Sequence, residues 1–159
     1  MKKYLKLVSA ALAIIGTIMM FFTQVTITWN HAPYHKESLS LAALVGGKSQ
    51  YAESFNGTSA GLAGYILLGV AAVILLIVAL VPYFKEHDML SAVVTGLAVV
   101  CAIVGLIMIF LIRKNFAEAN GDSFKSCIVG WAMIAGGSLG SLSALAGGTS
   151  IIFDVNGAN

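Results

Sequence analysis

The sequence predicts an all-α membrane protein, a four-transmembrane-helix up-down bundle with a small extracellular cap. Three observations carry that expectation. Two apolar stretches, Gly61–Val81 and Met89–Ile112, contain no charged residue and are separated only by PYFKEHD. Each exceeds the roughly 20 residues needed to cross about 30 Å of hydrocarbon, and so short a turn makes them antiparallel neighbours. The chain is 58% hydrophobic and only 10% charged, against about 25% charged in soluble domains. Finally, a further apolar run lies on each side of the hairpin, over 7–22 and 126–152. At 159 residues there is room for a single membrane domain, 1–159.

In chain order, the first span covers 5–25. Lys2, Lys3 and Lys6 precede an apolar run in the manner of a signal peptide, but Phe21, Phe22, Thr23 and Gln24 offer no small-x-small cleavage site. The span is therefore expected to be retained. The outside loop, 26–60, opens on QVTITW, whose alternation predicts a short strand. Pro33 bars a helix there. Ser38–Val45 follows as a short apolar segment, capped by Ser38 or Ser40 and closed by Gly46 and Gly47, too short to cross and expected to lie along the interface. Asn56-Gly57-Thr58 fits a glycosylation sequon but reads as a turn. The second span, 61–83, ends at Pro82. Asp88 is placed to cap the third, 89–112, where a carboxylate suits the helix N-terminus. Arg113 and Lys114 end that helix, and 113–125 reads as a polar connector. The fourth span is 126–149 and the tail 150–159.

The fourth span is different in kind. Ala132, Gly136, Gly140, Ala144 and Gly148 recur every four residues, with Gly130 and Gly137 beside them. In lipid such small residues let helix backbones approach closely, so these positions are the candidate helix–helix contacts, within the chain or between subunits. Ser138, Ser141 and Thr149 are the candidate lining of a pore, were the helix to face water. Trp29, Tyr34 and Tyr83 are the candidate interfacial anchors, having rings suited to the headgroup level.

Several function classes find no support. A net charge of +2, without a basic stripe, argues against nucleic acid. Neither 7–22 nor the hairpin arms hold an ionisable residue, and the fourth segment has none before Asp154. Proton-coupled transport needs a carboxylate in the membrane, and the small multidrug exporters keep a glutamate in their first helix, where this chain offers Ser9 and Thr17. Cys101 and Cys127 read as small packing residues, not a redox pair. The nearest approach to a metal site is His31, His35 and Glu37, interrupted by Pro33, and it reads as a solvated loop; His87 reads as a turn residue. No cofactor and no metal are expected. The lysines at the start place both termini in the cytoplasm by the positive-inside rule, although Arg113, Lys114 and Lys125 on the opposite side oppose it.

The order of parts resembles claudin-type four-helix topology: a basic start, a first helix, TITW, a larger first loop, and a tight hairpin before a Gly/Ala-rich last helix. The loop holds Trp29 but not the paired cysteines of claudins. The MKK start and simple loops resemble uncharacterised small four-helix membrane proteins of Gram-positive bacteria, which implies a bacterial plasma membrane and transfers no functional residue. The expected function is a non-enzymatic structural or accessory subunit, associating through its helices with itself or another membrane protein. An oligomeric pore lined by the Ser/Gly face of the fourth helix is the alternative, and an immunity or lipid-handling protein a further one.

Overall fold

The computed structural model describes residues 2–30, 35–47 and 55–157. It is mostly helical, and four helices are long and apolar enough to cross a membrane. These are α1 (Lys2–Ile18, extended by a 3-10 turn, Met19–Phe21), α3 (Ala60–Leu80), α5 (Asp88–Phe110) and α7 (Trp131–Gly157). They run up and down around a square: α1 packs on α3, α3 on α5, α5 on α7, and α7 closes back on α1. Alanines dominate the seams, with Ala10, Ala13, Ala71, Ala72, Ala98 and Ala102 at most 2% exposed. The outward faces carry Val73, Ile77, Val93, Leu97, Ile107 and Leu145, each at least 47% exposed. Helices apolar on both faces are suited to lipid and not to water.

A pair of glycines sets the approach of α3 to α5. A Cβ on Gly64 would lie 2.7 Å from the Gly105 carbonyl oxygen, and one on Gly105 would lie 2.6 Å from that of Gly64. Here α3 and α5 meet backbone to backbone.

The all-α expectation needs correction at one end of the bundle. A three-stranded antiparallel sheet sits there, in the order β2-β1-β3, formed by β1 (Thr23–Trp29), β2 (Lys36–Ser40) and β3 (Phe124–Val129). The cap was expected from the first loop alone, but β3 comes from the second. FKSCIV adjoins the apolar run of helix four and reads as its opening. Gly130 separates the two, because its N–H bonds the Gln24 carbonyl at 2.7 Å and a Cβ there would meet the Thr23 carbonyl oxygen at 2.4 Å. Helix four therefore spans 131–157 and not 126–149, and most of the expected tail is helical. The first helix likewise gives way to strand at Thr23, before the expected limit of 25.

Period-two alternation decides the faces of the sheet. Val25, Ile27 and Trp29 turn inward with Glu37 and Leu39, while Thr26, Thr28, Ser38 and Ser126 form the other face. The Ser126 and Thr28 hydroxyls bond across it at 2.9 Å. Ser40 caps α2 (Leu41–Gly46) by accepting from the Ala43 N–H, and Gly47, at φ +64°, ends it in the left-handed conformation that favours glycine. Leu41 and Leu44 are buried beneath. The hairpin turn holds a one-turn helix, α4 (Tyr83–Glu86). Asp88, expected at the cap, is the first residue of α5 itself, and His87 occupies the N-cap position.

The connector expected over 113–125 is largely helix, α6 (Ile112–Asn120). Its buried Phe116 stacks on Phe124 of β3 with ring centroids 5.3 Å apart, and Phe55 meets Phe116 edge-on at 5.2 Å. The Asn56–Gly57 segment docks on it: the Asn56 backbone N–H donates to Asn120 Oδ1 at 2.7 Å and the Asn56 side chain to the Ala119 carbonyl at 2.8 Å.

Candidate functional site

The end of the bundle away from the sheet holds the polar chemistry. Lys6 of α1 and Asp154 of α7 form an ion pair at 2.7 Å with side chains only 6% and 1% exposed. Ser91, in the first turn of α5, completes the triangle. Lys6 Nζ donates to its hydroxyl at 2.5 Å, and the hydroxyl donates to Asp154 Oδ2 at 3.2 Å. Three helices thus meet on one carboxylate oxygen. The second oxygen, Oδ1, is buried without a hydrogen-bond partner among the described residues, as is the hydroxyl of Thr95, one turn along α5 from Ser91. Asp154 also occupies the last turn of α7, where the helix dipole disfavours a negative charge. The carboxylate therefore depends on Lys6.

A second clamp lies one turn deeper. Ser9 Oγ donates to the Ser143 carbonyl at 2.6 Å, and Ser143 Oγ donates to the Ser9 carbonyl at 2.7 Å. Gly147 makes room for it, since a Cβ there would sit 3.2 Å from Ser9 Oγ. Ser143, Gly147, Ser150 and Asp154 recur at steps of four, three and four, which keeps them on one helix face. That spacing is the signal in the sequence that links Asp154 to the bundle interior. It is lost when 150–159 is read as a tail and Lys6 as a solvated N-terminal charge.

At the sheet end, Gln24 ties the sheet to the helices. Tyr65 donates to Gln24 Oε1 at 2.8 Å, and Gln24 Nε2 donates to the Met19 and Phe22 carbonyls at 2.7 and 3.1 Å. Trp29, expected as an interfacial anchor, is only 3% exposed; its ring packs edge-on against Phe124 and its indole N–H donates to buried Glu37 at 3.2 Å. The inward alternation of β1 places it there. Tyr83 is 54% exposed and stacks on His87. Tyr34, His31 and Pro33 lie outside the described residues.

The small residues of α7 divide between two faces. A strict four-residue step drifts by about 40° around the helix each time, so Ala132 and Gly148 differ by roughly 160°. Ala132, Gly136, Gly137 and Gly140 are buried, Ala144 is half-buried, and Gly148 has nothing within 4 Å of a Cβ. A Cβ on Gly136 would lie 3.3 Å from the Gly16 carbonyl oxygen of α1; on Gly140 it would meet Leu106 of α5. Gly130 faces β1. Ser138 and Thr149 are exposed on the outer face and Ser141 is half-exposed; the Ser141 and Thr149 hydroxyls bond back to the Gly137 and Leu145 carbonyls.

Both cysteines carry free thiols and are half-buried, Cys101 in α5 and Cys127 in β3. Burial pushes the Cys127 thiol above its ordinary range, against the opposing pull of Arg113, whose Nε donates to the Cys127 carbonyl at 2.9 Å. In a Cys101→Ala background, maleimide will label folded Cys127 more slowly at pH 7 than the denatured chain, and the rate will climb as pH rises past 9, because only the thiolate reacts. Equal rates in folded and denatured protein would contradict this placement.

Fold and site together define a four-helix chain of membrane-spanning length, capped by a sheet at one end and cross-linked by an internal ion pair at the other. Comparison with known protein families, with curated proteins and with solved structures finds no match.

Proposed function

We propose that this chain is an integral membrane protein with a structural, non-enzymatic role, assembling with copies of itself through the outer face of α7. The observation that carries this reading is the division of small residues on that helix. Gly136 and Gly140 are consumed in packing α7 onto α1 and α5, while Gly148, Ser138 and Ser141 remain toward the outside. Small outward residues on a membrane helix leave recesses beside the exposed Leu142 and Leu145 side chains, into which a second helix can pack. Since the Ser141 and Thr149 hydroxyls are satisfied by their own helix, the face suits a dry contact better than a water-filled lumen.

Native mass measurement in mild detergent tests the reading. Wild-type protein should give a dimer or a higher closed oligomer, and Gly148→Leu should shift it toward monomer. A strictly monomeric wild type would sink self-assembly. A ring that conducts ions in planar bilayers would instead select the pore reading, with Ser138, Ser141 and Thr149 toward its axis.

A further inference from the structure

A groove of about 580 Å³ runs between α5–α6 on one side and β3–α7 on the other. This lies within the roughly 300–1,000 Å³ of small-molecule sites. Its walls are Phe110, Val129, Met133 and Ile134, and Arg113 and Lys114 stand at its rim. Gly137 shapes it: a Cβ there would sit 2.5 Å from Phe110 Cζ, so the missing side chain lets the tip of the Phe110 ring reach α7. The rim marks a boundary of composition. The uncharged run that fills α5 ends at Ile112, the first residue of α6, and the cations follow immediately. Both cations are exposed, and β3 orients Arg113 through its Nε–H bond to the Cys127 carbonyl. That bond leaves the guanidinium's terminal nitrogens for an outside acceptor. Glu118 also lines the groove and lies 3.8 Å from Lys114, both side chains about two-thirds exposed, so the lining carries one net positive charge.

From this geometry we propose that the groove binds an anionic phospholipid of the leaflet on the sheet side. One acyl chain lies along Phe110, Met133 and Ile134, and the phosphate meets Arg113 and Lys114. The proposal rests on the membrane reading above, because the rim matches headgroup depth only if α5 and α7 span lipid. Charge complementarity selects the occupant: a neutral lipid would leave the lining's one net positive charge unmatched, and an apolar helix from a second copy would bury that charge without a counterion.

The test uses the full chain in nanodiscs of equimolar phosphatidylglycerol and phosphatidylcholine, followed by native mass spectrometry of the lipid retained on release. Incorporation into the discs tests the membrane reading by itself, and failure to incorporate removes that reading and the site together. In incorporated protein, one phosphatidylglycerol should be retained roughly fivefold over phosphatidylcholine, the effect of about one net charge at a lipid surface. The Arg113→Gln/Lys114→Gln double variant, both positions exposed, leaves only the Glu118 charge in the lining and should abolish or reverse the preference, with phosphatidylglycerol retained no better than phosphatidylcholine. Glu118→Gln should raise the preference above wild type. Glycerol phosphate added in excess should not displace the lipid, because it has no chain to fill the groove. Equal retention of both lipids, an unchanged ratio in the double variant, displacement by glycerol phosphate, or occupation of the groove by a second copy would each overturn the proposal.

Discussion

Replacing Asp154 by leucine should destabilise the bundle by about 3 kcal/mol, and replacing Lys6 by methionine by about 5 kcal/mol. Removing one partner of a buried pair strands the other charge away from water, whereas replacing both with apolar residues of similar volume is close to neutral. The side chains are only 6% and 1% exposed, so solvent screening does not reduce the figures much. The asymmetry between the two has a geometric cause. Lys6 lies near the chain start and its long stem can carry a freed ammonium toward the headgroups. Asp154 has a short side chain, an oxygen already without a partner, and a helix dipole against it. Lys6→Met/Asp154→Leu should therefore recover most of the lost stability. Thermal and denaturant unfolding of the four proteins in one detergent, read as a double-mutant cycle, checks this. Losses that simply add would show that the two charges do not act as a pair.

Substituting alanine at Gly64 or Gly105 should cost about 1–3 kcal/mol each, and leucine at either site more. The added atom would meet a backbone carbonyl oxygen of the facing helix at 2.7 or 2.6 Å, and backbone cannot swing aside as a side chain end can. Relief requires α3 and α5 to separate along their length. Gly96→Ala, in the same helix as Gly105, is the control, since the nearest atom to its new methyl group lies 4.0 Å away and the helix gains a better former. The same unfolding measurements apply, and equal stability of Gly105→Ala and Gly96→Ala would refute the close crossing.

The spans are legible because length and absence of charge are properties of a contiguous segment. The uncharged arms 61–81 and 89–112 can be read without knowing what they touch. What escapes is whatever depends on a partner far along the chain. Lys6 has the sequence appearance of a topogenic cation and becomes an internal group only once α7 is known to continue past Thr149. Gly64 and Gly105 are isolated glycines, and no period marks the fact that they face each other. FKSCIV is apolar enough to pass for a helix start; its strand character comes from pairing with β1. The stripe on α7 is visible as a repeat, but which members point inward follows from the helical drift and from the neighbours available. Trp29 suggests a surface ring by residue type, and the two-residue period of its strand overrules that suggestion.

The central position of β1 has a consequence for the order of assembly. Its hairpin partner β2 is near in sequence, but Thr28 meets Ser126 across 98 residues. Contacts so distant must wait until the intervening loop is closed. A ribosome making this chain delivers β3 and α7 after the other three long helices, so the same later segment completes the sheet at one extremity and brings Asp154 to Lys6 at the other. Until it arrives, three helices hold one edge of β1 open and one ammonium unmatched. The newborn protein thus cannot settle either pole before α7 has been made.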